Sequence, residues 1–182
     1  RDASLDIYEN DDFDVEMKAD DSPLTRADLA SHRVLVDALE RLTPDIPVLS
    51  EESAASAFEA RRGWPRLWVV DPLDGTREFI KRNGEFTINV ALVVAHRPVL
   101  GVIAVPARDV VYTGIPGRGA SRWSDKQASP IHTRRPPAEP PVVLGSRSHG
   151  TPRSEAYFEA IGPHERLARG SALKFCAVAE GE

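Results

Sequence analysis

A layered α+β protein is what this sequence predicts, on three observations. Residues 86–94 place Phe86, Ile88, Val90, Leu92 and Val94 at every second position, the period of a strand with one buried face. Apolar runs at 99–105 and 110–113 follow across short turns, which suggests an antiparallel meander. Residues 25–43 carry a helical stripe instead, Leu35, Leu39 and Leu42 with Val34 beside them. Helices mixed with antiparallel strands, and no internal repeat, give α+β layers.

The remaining elements follow in order. Residues 1–22 are rich in Asp and Glu and lack steady periodicity, apart from a strand-like piece at 13–17. Thr25 reads as an N-cap, with Asp28 three residues on as in a capping box, and Pro44 and Pro47 end the helix. Val48-Leu49 is a short strand that delivers Ser50-Glu51-Glu52. Residues 53–64 form a surface loop or hairpin whose Arg61-Arg62 is solvated. Residues 67–70 are a buried strand, and 75–82 a short helix stopped by Asn83-Gly84. The Pro-rich stretch 129–141 divides a portion at 1–128, with the metal and phosphate site, from the start of a second at 129–182, with substrate contacts. There a strand at 142–144 delivers Gly145-Ser146-Arg147-Ser148-His149, and helices cover 154–161 and 171–179.

Composition narrows the function. The 182 residues suffice for one domain with a real core, or one domain and part of another. Apolar content of 41% and charged content of 28% fit a globular protein. A net charge of −5 without a basic stripe argues against a nucleic-acid polymer as partner. No apolar run has the length of a transmembrane segment and no leader pattern is visible. The single Cys176 has no internal disulfide partner and reads as core. The expected setting is the reducing cytoplasm, at most peripheral to the inner membrane.

Asp71-Pro72-Leu73-Asp74-Gly75-Thr76 is the most informative stretch. Two carboxylates close a buried strand, and a turn into a helix follows at once. Carboxylates collect hard divalent cations, and two such ions need several oxygen ligands with one shared. Three acidic clusters at strand signals, Asp20-Asp21, Glu51-Glu52 and Asp71 with Asp74, supply them. Asp71 is placed to bridge, with Asp74 on one side and Glu51 on the other, and the Leu73 carbonyl is a further ligand. Gly75 lets the backbone approach an anion. The amides of Gly75 and Thr76 can hold phosphate oxygens, and the Thr76 hydroxyl a water. The Asp-x-x-Asp spacing departs from the Asp-x-Asp-Gly-Thr of haloacid-dehalogenase-type phosphatases, which excludes a phospho-aspartate mechanism.

Lys18-Ala19-Asp20-Asp21-Ser22-Pro23-Leu24-Thr25, Ala27-Asp28, Leu49-Ser50-Glu51-Glu52 and the 71–76 motif, in that order and spacing, resemble the lithium-sensitive, Mg²⁺-dependent inositol monophosphatase superfamily. Residues 77–89, 145–149 and 170–176 resemble its 3′(2′),5′-bisphosphate nucleotidases of the CysQ type. The resemblance implies the α-β-α-β-α sugar-phosphatase fold, with its C-terminal layers incomplete in this chain. It implies two or three Mg²⁺ ions on Glu51, Asp71, Asp74 and the Leu73 carbonyl, with Ca²⁺ and Li⁺ as inhibitors. By the same resemblance Asp20 holds waters of a weaker metal and, with Thr76, orients the attacking water, so that Asp20, Thr76 and Glu51 form the catalytic set. Ser171 and Lys174 contact the nucleotide's 5′-phosphate or sugar, while Ser146 and His149 either touch the nucleotide or shape a loop. The implied reaction removes the 3′-phosphate of adenosine 3′,5′-bisphosphate (PAP) to give AMP, with the sulfated nucleotide PAPS as a further substrate and a link to sulfate assimilation. The family's N-terminal helix is expected to be missing, and its last Asp ligand falls beyond Glu182. Monomers and homodimers both occur in the superfamily. An inositol- or sugar-phosphate phosphatase, and a non-catalytic nucleotide or metal sensor of the same fold, remain open as alternatives.

Overall fold

A computed structural model describes residues 2–10, 14–18, 23–53 and 58–182, with the side chains of Asp2 and Ala3 excepted. Its frame is a seven-stranded sheet in the order β3-β4-β5-β6-β7-β8-β9. The strands are β3 (Val48–Ser50), β4 (Arg66–Asp74), β5 (Thr87–Val94), β6 (Arg97–Val105), β7 (Val110–Ile115), β8 (Gly119–Ser124) and β9 (Gln127–Ile131). Only β3 and β4 run parallel; every other neighbouring pair is antiparallel. A second sheet pairs β10 (Val142–Ser146) in parallel with β11 (Glu165–Arg169), joined by helix α5 (Pro152–Ile161). Short strands β1 (Glu16–Met17) and β2 (Pro23–Leu24) pair antiparallel. Helices α1 (Asp2–Asn10), α2 (Arg26–Leu42), α3 (Phe58–Arg61), α4 (Thr76–Ile80) and α6 (Leu173–Glu180) complete the fold. The α+β layering expected from the sequence is the architecture found.

The local reasons are visible in the side chains. Thr25 opens α2 through a capping box: its amide and hydroxyl both donate to Asp28 Oδ2, at 2.8 and 2.6 Å. The meander's two-residue turns, Ala95-His96 and Asp125-Lys126, have positive φ at both residues, the twist that suits a tight hairpin. Pro130 is accommodated because β9 is an edge strand.

Three expectations are corrected. Residues 2–10, read as aperiodic, form α1, so a helix does precede the first strands. It is nine residues long, too short for a periodic stripe to rise above the acidic background, and its contacts hold it in place. Residue 13 of the strand-like piece lies outside the described residues, and the strand itself is only Glu16–Met17. The clean alternation of residues 86–94 does not give one wet face. Phe86, Thr87 and Ile88 are buried in succession because both sides of the sheet are covered there. Strands β8, β9 and β11 carry no apolar run in the sequence, being polar and partly exposed.

Two apolar clusters fix the layers. Ala27, Leu73, Phe79 and Phe86 are buried together, with Leu5, Ile7 and Tyr8 of α1 packed against them. Tyr8 lies 5.1 Å from the rings of both Phe79 and Phe86, and those two meet edge-on at 4.9 Å. Val105, Val110 and Leu173 form the second cluster, which ties α6 to the sheet.

Phe79 follows Thr76 on the same short helix and is fully buried. Phe79→Ala is expected to lower unfolding free energy by about 3–5 kcal/mol, because the cavity it leaves is walled by sheet and helix. Val94→Thr, at a partly exposed strand end, is expected to stay within about 0.5 kcal/mol. Urea denaturation of the two variants checks the contrast.

Candidate active site

The end of β4 carries the acidic pair. Asp71 pairs with Asn89 of β5, and Asp74 with Thr87, so three steps on β4 face two on β5. In an unbroken strand, residues three apart point to opposite faces. The extra residue is a β-bulge, and it turns Asp71 and Asp74 toward one place. The Asn89 amide donates to Asp74 Oδ2 at 3.5 Å and also serves Asp71. Asp74 Oδ2 accepts from Thr87 Oγ1 at 3.4 Å as well, and Asp71 Oδ1 accepts from the Leu73 amide at 3.2 Å. The parallel β3–β4 ladder continues one step, with the Glu51 amide donating to the Val70 carbonyl at 3.0 Å, and so sets Glu51 beside Asp71.

Charge crowding at this point bears on the protonation of Asp71. Burial, then the charges of Asp74 and Glu51, push its carboxyl up to about 7 from a usual 3.8. Such a group gains from a nearby cation, and carboxylates with a free carbonyl are the donors that Mg²⁺ takes. The residues present therefore fit a divalent ion. Among the described residues, no three His, Cys, Asp or Glu side chains converge at ligand spacing. Glu51 Oε1 instead accepts from Lys18 Nζ at 2.9 Å, and Lys18 also reaches Glu52 Oε1 at 2.6 Å. Burial alone would lower the Lys18 ammonium's pKa, but Glu52 and Glu51 together hold it well above its usual range.

Thr76 has a partner that sequence reasoning missed. Its hydroxyl donates toward Asp28 Oδ1 at 3.4 Å, with the Leu73 carbonyl at 3.5 Å. Asp28 is 2% exposed; burial pushes its carboxyl up, and the Thr25 donors offset part of that. In the sequence Asp28 reads only as a cap, because nothing local marks an acid whose second oxygen is used elsewhere. Asp20, expected beside Thr76, lies outside the described residues.

A cavity of about 360 Å³ opens over the start of α4. It brings together Asp74, Gly75 and Thr76 on one side with Ser146, His149, Ser171 and Lys174 on the other. All six expected substrate-binding residues line it, and Arg77 and the buried Glu78 line it as well. Glu51 and Asp71 line a separate depression with Ser50 and Val70. Gly75 has φ +90°, and a Cβ there would stand 3.0 Å from Ser171 Cβ, so a side chain would close the gap between the walls. Lys174 Nζ donates to the Ser171 carbonyl at 2.6 Å, and Ser146 Oγ accepts from the His149 amide at 3.2 Å. Cys176 is buried, and burial followed by the charge of Glu180 pushes its thiol up to about 12, which leaves it unreactive. Among the described residues no helix is long and apolar enough to cross a membrane.

Comparison with known proteins places this geometry. Residues 3–182 match the inositol monophosphatase family. The chain is 46% identical over all 182 residues to the Escherichia coli K12 protein named 3′(2′),5′-bisphosphate nucleotidase CysQ, 72% of whose length it spans. The Buchnera aphidicola protein of the same name is 38% identical over 177 residues, 96% of this chain and 65% of that protein. Among solved structures, CysQ from Bacteroides thetaiotaomicron superposes with a TM-score of 0.82 at 40% identity, covering 98% of this chain and 71% of that one. A Thermotoga maritima inositol monophosphatase shares the fold, with a TM-score of 0.79 at 24% identity, over 98% of this chain and 67% of that one.

The raised pKa of Asp71 sets a pH dependence. Its folded-state value lies above the unfolded one, so its contribution to stability is complete below about pH 4 and is lost as pH rises through about 7. Without metal, Asp71→Asn is therefore expected to raise Tm at pH 8 and to raise it much less at pH 5, where only the first part of the loss has set in. Added Mg²⁺ is expected to raise the Tm of the parent protein at pH 8 and to lose that effect in Asp71→Asn. Thermal scans with and without Mg²⁺ at the two pH values read both parts; an Asp71→Asn protein less stable than its parent in metal-free buffer at pH 8 contradicts the crowding.

Proposed function

The chain belongs to the inositol monophosphatase family, and we propose that it hydrolyses the 3′-phosphate of adenosine 3′,5′-bisphosphate to AMP and phosphate. The observation that carries this reading is the two-walled cavity. Its Asp74–Thr76 side suits the ester under attack, and Ser171 and Lys174 across from it suit a second anionic group. A bisphosphate nucleotide has both. The names of the relatives at 46% and 38% identity support the same substrate. Such an enzyme, in the cytoplasm, clears a nucleotide by-product of sulfate activation, and PAPS, its sulfated form, fits the same walls.

Glu51, Asp71, Asp74 and the Leu73 carbonyl would hold two or three Mg²⁺ ions. When bound, the metal polarises the phosphoryl group, offsets charge on the departing oxygen and makes water a better nucleophile. Ca²⁺, with slacker coordination, and Li⁺ would inhibit at these carboxylates. The protein's own proton path runs through Thr76. Because the Thr76 hydroxyl donates to Asp28 Oδ1, its lone pairs are left to accept from a water in the cavity. A proton leaving that water passes to Thr76 Oγ1 as the Thr76 proton passes to Asp28, whose carboxyl burial makes more basic. Lys174 and Ser171 orient the nucleotide, and the Gly75 and Thr76 amides face the phosphate oxygens.

Phosphate release with Mg²⁺, from adenosine 3′,5′-bisphosphate and from inositol 1-phosphate, tests the proposal. Faster release from the nucleotide is expected, and Asp74→Asn should abolish it. Asp28→Asn is expected to lower kcat about 10²–10⁴-fold, the usual contribution of a proton-transfer group, with KM within about threefold. Preference for inositol 1-phosphate would overturn the substrate assignment. Release from neither ester would leave a nucleotide or metal sensor, to be tested by binding.

A further inference from the structure

Among the described residues, Glu85 is a heavily engaged carboxylate outside the site itself. It is 5% exposed and lies just before the core residue Phe86. Its Oε2 accepts from Arg147 Nε at 2.6 Å and from the Gly170 amide at 2.7 Å. Its Oε1 accepts from Arg147 Nη2 at 2.9 Å and Arg108 Nη2 at 3.2 Å. Its backbone carbonyl accepts from Ser171 Oγ at 2.7 Å. Burial alone would raise the carboxyl's pKa, but Arg147, the Gly170 amide and Arg108 together hold it below its usual range. A buried carboxylate engaged in this way is held in one place.

The partners explain what is held. Arg147 sits between Ser146 and Ser148 at the end of β10, and Gly170-Ser171 is the turn at the end of β11. Both turns carry the far wall of the cavity. Among the described residues no ladder joins the β10–β11 sheet to the seven-stranded sheet, so side chains set one against the other. Leu173 supplies the apolar contact and Glu85 the directional one. Gly170 shows how close the approach is: a Cβ there would lie 2.6 Å from Glu78 Cγ and 3.0 Å from Glu85 Cβ. Among the described residues, the carboxylate and carbonyl of Glu85 bond to Arg108, Arg147, Gly170 and Ser171, and not to Glu51, Asp71, Asp74, Thr76 or Asp28.

We propose that Glu85 is a positioning residue for substrate binding. By gripping Arg147 and the Gly170 amide, it sets the distance between the wall bearing Ser146, His149, Ser171 and Lys174 and the wall bearing Asp74, Gly75 and Thr76. The proposal rests on the reading that this cavity takes the nucleotide. Loss of the grip moves the far wall and leaves the acidic pair and the Thr76–Asp28 contact as they are.

The experiment measures kcat, KM and half-saturating Mg²⁺ for the whole enzyme and for Glu85→Gln, Arg147→Met, Arg147→Lys and the Glu85→Gln/Arg147→Met pair. Glu85→Gln and Arg147→Met are each expected to raise KM for adenosine 3′,5′-bisphosphate about tenfold or more, as loss of a charged hydrogen bond implies, with kcat within about threefold. Half-saturating Mg²⁺ should not move. Arg147→Lys keeps the charge but not the fork, and should show a smaller rise. The double variant should be no worse than the worse single one, because both remove one contact. Hydrogen–deuterium exchange at residues 169–175 should quicken in Glu85→Gln, with residues 71–76 unchanged. An unchanged KM, or a loss confined to kcat with altered Mg²⁺ dependence, overturns the proposal. Should one variant fail to fold, the other carries the same test. If the parent enzyme releases nothing from the nucleotide but does from inositol 1-phosphate, the substrate reading falls and the same KM split is measured on that ester. If neither ester reacts, unchanged exchange at 169–175 overturns the proposal and faster exchange there sustains it.

Discussion

The β-bulge between Asp71 and Asp74 is the constraint on which the rest of this molecule depends. A strand's two-residue period would send these carboxylates to opposite faces of the sheet. One extra residue on β4, with Asn89 and Thr87 as the fixed points on β5, brings them to one side. The distortion is tolerated because the sheet around it is well anchored. Leu73, inside the bulge, is buried in the same cluster as Phe79 and Phe86. The residue between the two acids thus packs inward with its side chain and leaves its carbonyl for other work. Thr76 touches that carbonyl already, so bulge, core and helix start are mechanically one unit.

Economy of the same kind appears at Asp28. One oxygen of its carboxylate closes the capping box of α2, and the other meets Thr76. The cap and the Thr76 hydroxyl each use a carboxyl oxygen of Asp28 as acceptor. The cost of burying the charge is offset mainly by the two short Thr25 bonds, so a long helix holds an acid at the site in one orientation. A longer Glu at this position would keep a capping box but move the second oxygen away from Thr76.

The parts of the fold and site legible in the sequence are those that local chemistry enforces. The capping box at Thr25, the end of α2 near Pro44 and the meander from residue 87 to 115 follow from spacing and turn chemistry. So does the gathering of Asp74, Gly75 and Thr76, which are neighbours along the chain. Ser146, His149, Ser171 and Lys174 came to the same cavity only through resemblance, since a parallel β10–β11 pair and its crossover helix must form before they meet. The partners of Glu85 were illegible for the same reason. Its bonds to Arg147 and Gly170 span 62 and 85 positions, and in sequence it reads as one more charge after a turn. Helix α1 escaped because its stability comes from Tyr8 against two phenylalanines, not from its own periodicity.

Binding and folding are coupled at this site by the same charges. Three acids lie near the ends of β3 and β4, and burial together with the charges of Asp74 and Glu51 pushes the Asp71 carboxyl up to about 7. Lys18 answers part of the charge from outside, at Glu51 and Glu52, but not at Asp71. A cation bound only by the folded state contributes RT ln(1 + [L]/Kd), about 2.7 kcal/mol at a hundred times Kd, a large share of a domain's net stability. The bulge that brings the acids together therefore leaves the metal-free protein below its attainable stability, and a cation bound there would restore part of it. Glu85 has no such dependence, because its charge is answered by arginines and an amide of the chain itself. One buried acid is satisfied from within the chain; the other group is left short of positive charge, which a cation on the proposed ligand set would supply.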